Sequence, residues 1–240
     1  VFMLKKILMF LAIVAICLTV YISFTSKNEV ENVVLAPENI DNTATVNNDE
    51  TVTFATSTKW LRVEIDYPNN NIVRDAIMAD YYLWASSTQI LTVNSEVKAK
   101  EFMISEGMQY EYIAEYEVAS SSDSVSYVYD VYNFTGGAHG GVYKRVYTFD
   151  KNGKEKTISI SNSSIQKVLP QIRADLKKQM IQRAEIKESE IDTKWLSDGT
   201  AVSKENYSTY WYDGSDVVFY FGQYQVGPYV YGEFEVRIPL

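Results

Sequence analysis

"QYEYIAEYEVASSSDSVSYVYDVYNFTGGAHGGVYKRVYTFDKNGK", residues 109–154, decides the fold. It opens with a period of two: Tyr110, Tyr112, Ala114, Tyr116 and Val118 share one face, and Glu111, Glu115 and Glu117 share the other. That alternation predicts a half-exposed antiparallel strand. "SVSYVYDVYNF" (124–134) and "GVYKRVYTFD" (141–150) read as two further strands, the first with tyrosines on both faces, Tyr127 and Tyr129 opposite Tyr132. In "DKNGK" (150–154) an Asn-Gly pair supplies a turn into "EKTISI" (155–160), so residues 108–160 are expected to form a meander.

Upstream, "TVTFATSTKWLRVEIDYP" (51–68) alternates as a strand does and stops at Pro68. Ile72, Val73, Ala76, Ile77, Tyr81 and Trp84 then fall at helical spacing, which predicts one or two helices ending before Gly107. Downstream, Ile165, Val168, Leu169, Ile172, Leu176 and Met180 form a stripe on a helix starting near Ser163, and Pro170 predicts a break or a helix start within it. The chain closes in strands, where Val230, Phe234, Val236 and Ile238 are expected to share a face opposite Tyr231, Glu233, Glu235 and Arg237. Sheet, helix and sheet without regular alternation predict an α+β fold, an antiparallel sheet meander with helices packed on one side. The ordered domain is expected over 52–240, with halves at 52–160 and 161–240.

Before this domain, Lys5 and Lys6 precede eighteen uncharged residues, Ile7 to Phe24. As a helix that run covers roughly 27 Å, close to a bilayer's hydrocarbon core of roughly 30 Å. Residues 1–24 are read as a single transmembrane anchor, with a cleaved signal segment as the alternative. Cys17 in "IVAIC" loosely fits a lipid-modified cysteine, but Ile16 stands where a small residue is expected. The lysines place the remainder outside the membrane. Residues 25–51, rich in Asn, Glu and Thr, read as a flexible polar linker.

Without Lys5 and Lys6, 20 basic residues face 31 acidic ones, a formal charge of −11 on the exported part. That disfavours a nucleic-acid partner. With no cysteine beyond position 17, a hydrophobic core rather than disulfides must hold the domain together. One histidine and one cysteine cannot supply a zinc site, and oxygen ligation of calcium at "YDGSD" (212–216) lacks the spacing of an EF-hand loop, so no metal or cofactor is expected.

The single histidine sits in "GGAHGG" (136–141). Glycines there either let a ligand approach the backbone, with His139 as contact or base, or form a wide hairpin loop with positive φ in which His139 faces solvent. The second is favoured, because His139 has no evident orienting partner. Asp213 and Asp216 in "YDGSD" read as turn residues. Glu115 with Glu117 and Glu233 with Glu235 have a spacing that a glycosidase could use, but any solvent-facing strand shows it too. No catalytic residue is assigned.

Two segments, "YNFTGGAHGGVYKRVYTFDKNGKEKTIS" and "VVFYFGQYQVGPYVYGEFEVRIP", together resemble the paired signatures of an extracytoplasmic domain-of-unknown-function family. That family occurs in the outer domain of the anti-sigma factor RsiV and the N-terminal region of the peptidoglycan deacetylase PdaC. The resemblance covers about residues 55–240 and implies an α+β domain outside the membrane, linked to lysozyme recognition in the one case and to enzymes that act on cell-wall glycan in the other. Neither a sigma-factor-binding domain before the anchor nor a deacetylase domain after Leu240 is expected in this chain. The reading is a membrane-anchored, non-catalytic, extracytoplasmic binding module of bacterial type for cell-wall glycan or a wall-directed protein. Its alternatives are a sensor or inhibitor of a lysozyme-like basic protein and a glycan-acting hydrolase. The ligand-binding candidates are Gly136, Gly137, His139 and Gly140, with Tyr224, Gly227, Pro228 and Tyr229, where Gly227 and Pro228 are expected to fix a turn presenting the two tyrosines.

Overall fold

The computed structural model describes residues 43–46, 51–88 and 101–239. The anchor at residues 7–24, Cys17 and most of the stretch 25–51 lie outside the described residues. Among the described residues no helix is long and apolar enough to cross a membrane.

Two sheets form. The larger carries β1 (Thr43–Val46), β2 (Thr51–Ser57), β3 (Leu61–Pro68), β4 (Tyr110–Ser120), β5 (Ser124–Phe134) and β6 (Gly141–Asp150), in that spatial order. The smaller holds β7 (Tyr210–Asp213), β8 (Asp216–Phe221) and β9 (Phe234–Pro239). The alternating stretch 51–68 is thus two strands of a hairpin, and β1 lies within the stretch read as linker. The large sheet is mixed rather than antiparallel, because β3 and β4 run parallel, Val63 opposite Tyr112 and Ile65 opposite Ala114. A parallel pair cannot be closed by a hairpin, and helix α1 (Asn71–Ser87) lies in the crossover.

Asn70 caps α1 by accepting from the amides of Ile72 and Val73. Val73, Ile77, Tyr81 and Trp84 recur every three or four residues and pack onto Val63, Ile65, Tyr112, Ala114 and Val131 of the large sheet. Asp80 fixes the docking. Its Oδ2 accepts from the hydroxyls of Tyr112 at 2.9 Å and Tyr143 at 2.7 Å, and its Oδ1 accepts from Arg145 Nε at 2.7 Å. Burial is the main cause that holds both phenols above their ordinary range.

The opposite face of the large sheet is covered too. Ala119, Val128 and Val146 meet Trp211, Val218 and Tyr220 of the small sheet. This explains why the alternation of β4 slips at its end, leaving Val118 56% exposed and burying Ala119. Lys144, 6% exposed, spans the two sheets with Nζ 2.6 Å from Asp130 Oδ1 and 3.1 Å from Glu235 Oε1.

On the far face of the small sheet Phe219, Phe221, Phe234, Val236 and Ile238 pack against Ile165, Ile172, Leu176 and Met180 of α2 (Asn162–Ala184) and Leu196 of α3 (Thr193–Gly199). The expectation of helices on one side is therefore corrected: the order of layers is α1, large sheet, small sheet, then α2 with α3. The cause lies in β8, where Val217 to Phe221 are buried without alternation, so both of its faces need cover.

Three local expectations are also corrected. Helix α2 runs unbroken through Pro170, which is exposed, so the carbonyl deprived of its amide partner can be met by water while the buried stripe on either side holds the helix together. After the Asn-Gly turn only Glu155 bridges to Phe149, and 156–161 leave the sheet to reach Ser161, the N-cap of α2. Val230 is 77% exposed in a short 3-10 turn, Tyr229–Tyr231, and does not share the face of Phe234, Val236 and Ile238.

Burial pushes the phenols of Tyr147 and Tyr207 up to about 12. Burial opposes the charge of Lys144, but bonding and attraction to Asp130 and Glu235 outweigh it and raise that group as well. In each case the folded chain keeps a proton that the unfolded chain releases, so the stabilisation is complete below the ordinary values near 10 and is lost as pH rises. The urea midpoint is expected to stay flat up to about pH 9.5 and to fall from about pH 10 to about pH 12. A midpoint that rises over that range would contradict these assignments.

Candidate functional site

The β5–β6 hairpin pairs Asn133 with Gly141, leaving residues 135–140 as its loop. Gly136 and Gly137 take φ of +89° and +105°, the wide-loop conformation expected of them. Gly140 is required for a different reason: a Cβ there would lie 2.4 Å from the Tyr132 ring and 2.7 Å from the Asn133 carbonyl.

The second loop joins β8 to β9 through residues 222–233 and is bound from behind. Gln225 donates to the carbonyls of Gly199 at 3.1 Å and Asn206 at 2.9 Å, and its Oε1 accepts from the amide of Gly222 at 3.1 Å. Trp195 of α3 donates its indole N–H to the Tyr224 carbonyl at 2.9 Å, which holds Tyr224 at a φ of +64°. Pro228 opens the 3-10 turn, as its ring-fixed φ of −65° allows. The Tyr231 ring lies where a Cβ on Gly227 would be, at 2.6 Å.

The two loops meet. His139 stacks on Tyr229 with ring centroids 3.8 Å apart and planes 21° off parallel, and Tyr224 follows at 5.6 Å and 38° from Tyr229. The Tyr229 hydroxyl donates to the Gly140 carbonyl at 3.2 Å, and the Val142 amide donates to Gln223 Oε1 at 3.3 Å. His139 Nδ1 lies 3.0 Å from the same carbonyl, a contact that needs the proton on Nδ1 because a carbonyl only accepts. His139 thus has the orienting partner that the sequence did not reveal, and it is an aromatic ring rather than a carboxylate. The result is a preformed aromatic shelf, with His139 exposed and Tyr224 51% exposed.

Of the eight candidates, His139, Gly140, Tyr224 and Tyr229 converge directly. Gly136, Gly137, Gly227 and Pro228 shape the loops that carry them. Tyr132, Trp195, Gln223 and Gln225 support the shelf and were missed; Gln225 stood in the quoted motif with no sign that its side chain would tie three backbone groups together.

The paired carboxylates have other partners. Glu233 accepts from the Tyr220 hydroxyl at 2.5 Å, Glu235 is paired with Lys144, and Glu115 and Glu117 are exposed on β4. Asp213 and Asp216 flank the β7–β8 turn at Gly214, and Asp213 holds Arg237 at 2.5 Å. Among the described residues no three of His, Cys, Asp and Glu converge to hold a metal ion.

Fold and site together define a two-sheet α+β domain bearing an exposed aromatic shelf on two interlocked loops. Residues 157–240, which take in α2, α3 and the small sheet, match the family described as "Protein of unknown function (DUF3298)". Similar solved structures include a DUF3298 family member from Bacteroides fragilis NCTC 9343, at 15% identity and a TM-score of 0.43 over 81% of this chain and 91% of that one. A DUF3298 family protein from Pseudomonas aeruginosa PAO1 is similar at 16% identity and a TM-score of 0.37, over 81% of this chain and 92% of that one. No curated protein matches the chain.

Proposed function

We propose that this protein is an extracytoplasmic binding module, attached to the membrane through residues 7–24 and without catalytic activity, whose aromatic shelf recognises cell-wall glycan. The observation that carries the reading is the convergence of His139, Tyr229 and Tyr224 into one row of rings whose two ends, His139 and Tyr224, are exposed. Sugar rings present flat C–H faces that stack on such rows, and a shelf locked from behind by Gln225 and Trp195 loses little freedom on binding. The resemblance of the paired motifs to a family that in PdaC accompanies an enzyme acting on cell-wall glycan supports the same reading. The commitment of Glu233 and Glu235 to Tyr220 and Lys144 favours binding over hydrolysis.

A second reading, recognition of a lysozyme-like basic protein as in RsiV, draws on the formal charge of −9 over the chain, which steers a basic partner toward it. Salt separates the two. Titration with soluble peptidoglycan fragments is expected to saturate, to be insensitive to ionic strength and to weaken about tenfold in Tyr224→Ala and Tyr229→Ala. Binding to a basic lysozyme that falls steeply between low and physiological salt would favour the second reading. Glycan affinity unchanged in both folded variants would remove the shelf as the site.

A further inference from the structure

β9 is an outer strand, paired on one side with β8. Its other edge borders α2. There the Glu235 carbonyl accepts from Gln179 Nε2 at 2.8 Å, and the Glu233 carbonyl accepts from Arg183 Nη1. In an antiparallel strand the N–H and C=O of one residue point the same way, so the amides of Glu235 and Arg237 face this edge as well. A groove of about 650 Å³ runs along it, walled by Gln171, Asp175, Gln179 and Arg183, which recur every fourth residue as one stripe of α2.

The geometry points to this groove as a docking site for an extended, basic peptide segment of a partner protein, added to β9 as a further strand through main-chain hydrogen bonds. The carbonyls of Glu233 and Glu235 already receive N–H donors from the Gln179 and Arg183 side chains, in the direction from which an added strand would offer its amides, and an incoming strand takes their place by displacing those two side chains. The polar stripe of α2 suits polar rather than apolar side chains on the incoming segment. Pro239 offers no amide and ends the receptive stretch after Arg237, so the fit is to a short segment.

Charge selects the occupant. Of the charged groups that line the groove, Glu235 is paired with Lys144 and Arg237 with Asp213. Against the single guanidinium of Arg183 stand two carboxylates bonded only to neutral groups, Asp175 and Glu233. A basic segment meets them with opposite charge. This surface is distinct from the aromatic shelf, and the inference does not rest on the function proposed for that shelf.

The test titrates the protein with an acetylated, amidated eight-residue peptide alternating Val and Lys. The controls are a Val/Glu peptide and a Val/Lys peptide N-methylated on the amides of one edge at a time. Saturable binding of the Val/Lys peptide, at least about tenfold weaker for the Val/Glu peptide and for one of the two methylated forms, is expected. Arg237→Pro, which removes an edge amide without touching the β8 ladder, is expected to weaken binding about tenfold. If that variant does not fold, the methylated peptides decide. Equal affinity for all peptides, no binding at 1 mM, or a dimer of this chain that Arg237→Pro dissolves would each overturn the inference.

Discussion

Trp211→Ala is expected to cost about 3–5 kcal/mol of unfolding free energy, the range for a large buried side chain replaced by a methyl. Trp211 is fully buried between the two sheets, among Ala119, Val128, Val218 and Tyr220, and Lys144 Nζ lies 5.7 Å from its ring. Neither sheet can close the gap alone, because Trp211 is held opposite Val218 of β8, and β8 is itself held in register by β9. Trp211→Phe is expected to cost only about 1–2 kcal/mol, since the indole N–H it removes is buried without a hydrogen-bond partner. Urea unfolding of both variants checks the pair. A loss below about 1 kcal/mol in Trp211→Ala would mean that the sheets do not support one another.

Asp80→Ala is expected to cost about 2–4 kcal/mol, because it strips an acceptor from the buried Tyr112 phenol and the half-buried Tyr143 phenol and leaves Arg145 without its carboxylate. The Arg145 side chain is half exposed, so water takes over part of its loss and the phenols carry most of the cost. Adding Tyr112→Phe should return part of the stability, since removing both partners of a buried bond is milder than orphaning one. The same urea series measures this as a double-mutant cycle. A double variant no better than the sum of the single ones would show that the Tyr112–Asp80 bond contributes nothing.

These two residues also show where reading the sequence stops. The alternation in β4 and the stripe in α1 are local patterns, and both elements form where those patterns lie. Asp80 lies in the same helix, yet its partners Tyr112, Tyr143 and Arg145 are 32 to 65 residues away, and no period announces them. The run Val217 to Phe221 did carry a signal: five successive buried residues need cover on both faces, which predicts a second layer rather than a single sheet. The parallel join of β3 to β4 was invisible, because alternation is the same in parallel and antiparallel strands.

The site was legible in halves. Each glycine-rich loop could be read as a turn, and the tyrosines of the second as exposed. That the loops interlock depends on contacts such as Tyr229 to Gly140, 89 positions apart, and on the order of the layers that brings the end of β8 beside the β5–β6 hairpin. Gln225 and Trp195 work through backbone carbonyls, and a bond to a carbonyl leaves no mark in the identity of the residue that offers it.

The stacking of the sole histidine on Tyr229 gives the shelf a spectroscopic label of its own. A proton spectrum of this chain holds the signals of a single imidazole, lying in the ring current of a tyrosine 3.8 Å away, so events at the two loops can be followed in the unmodified protein.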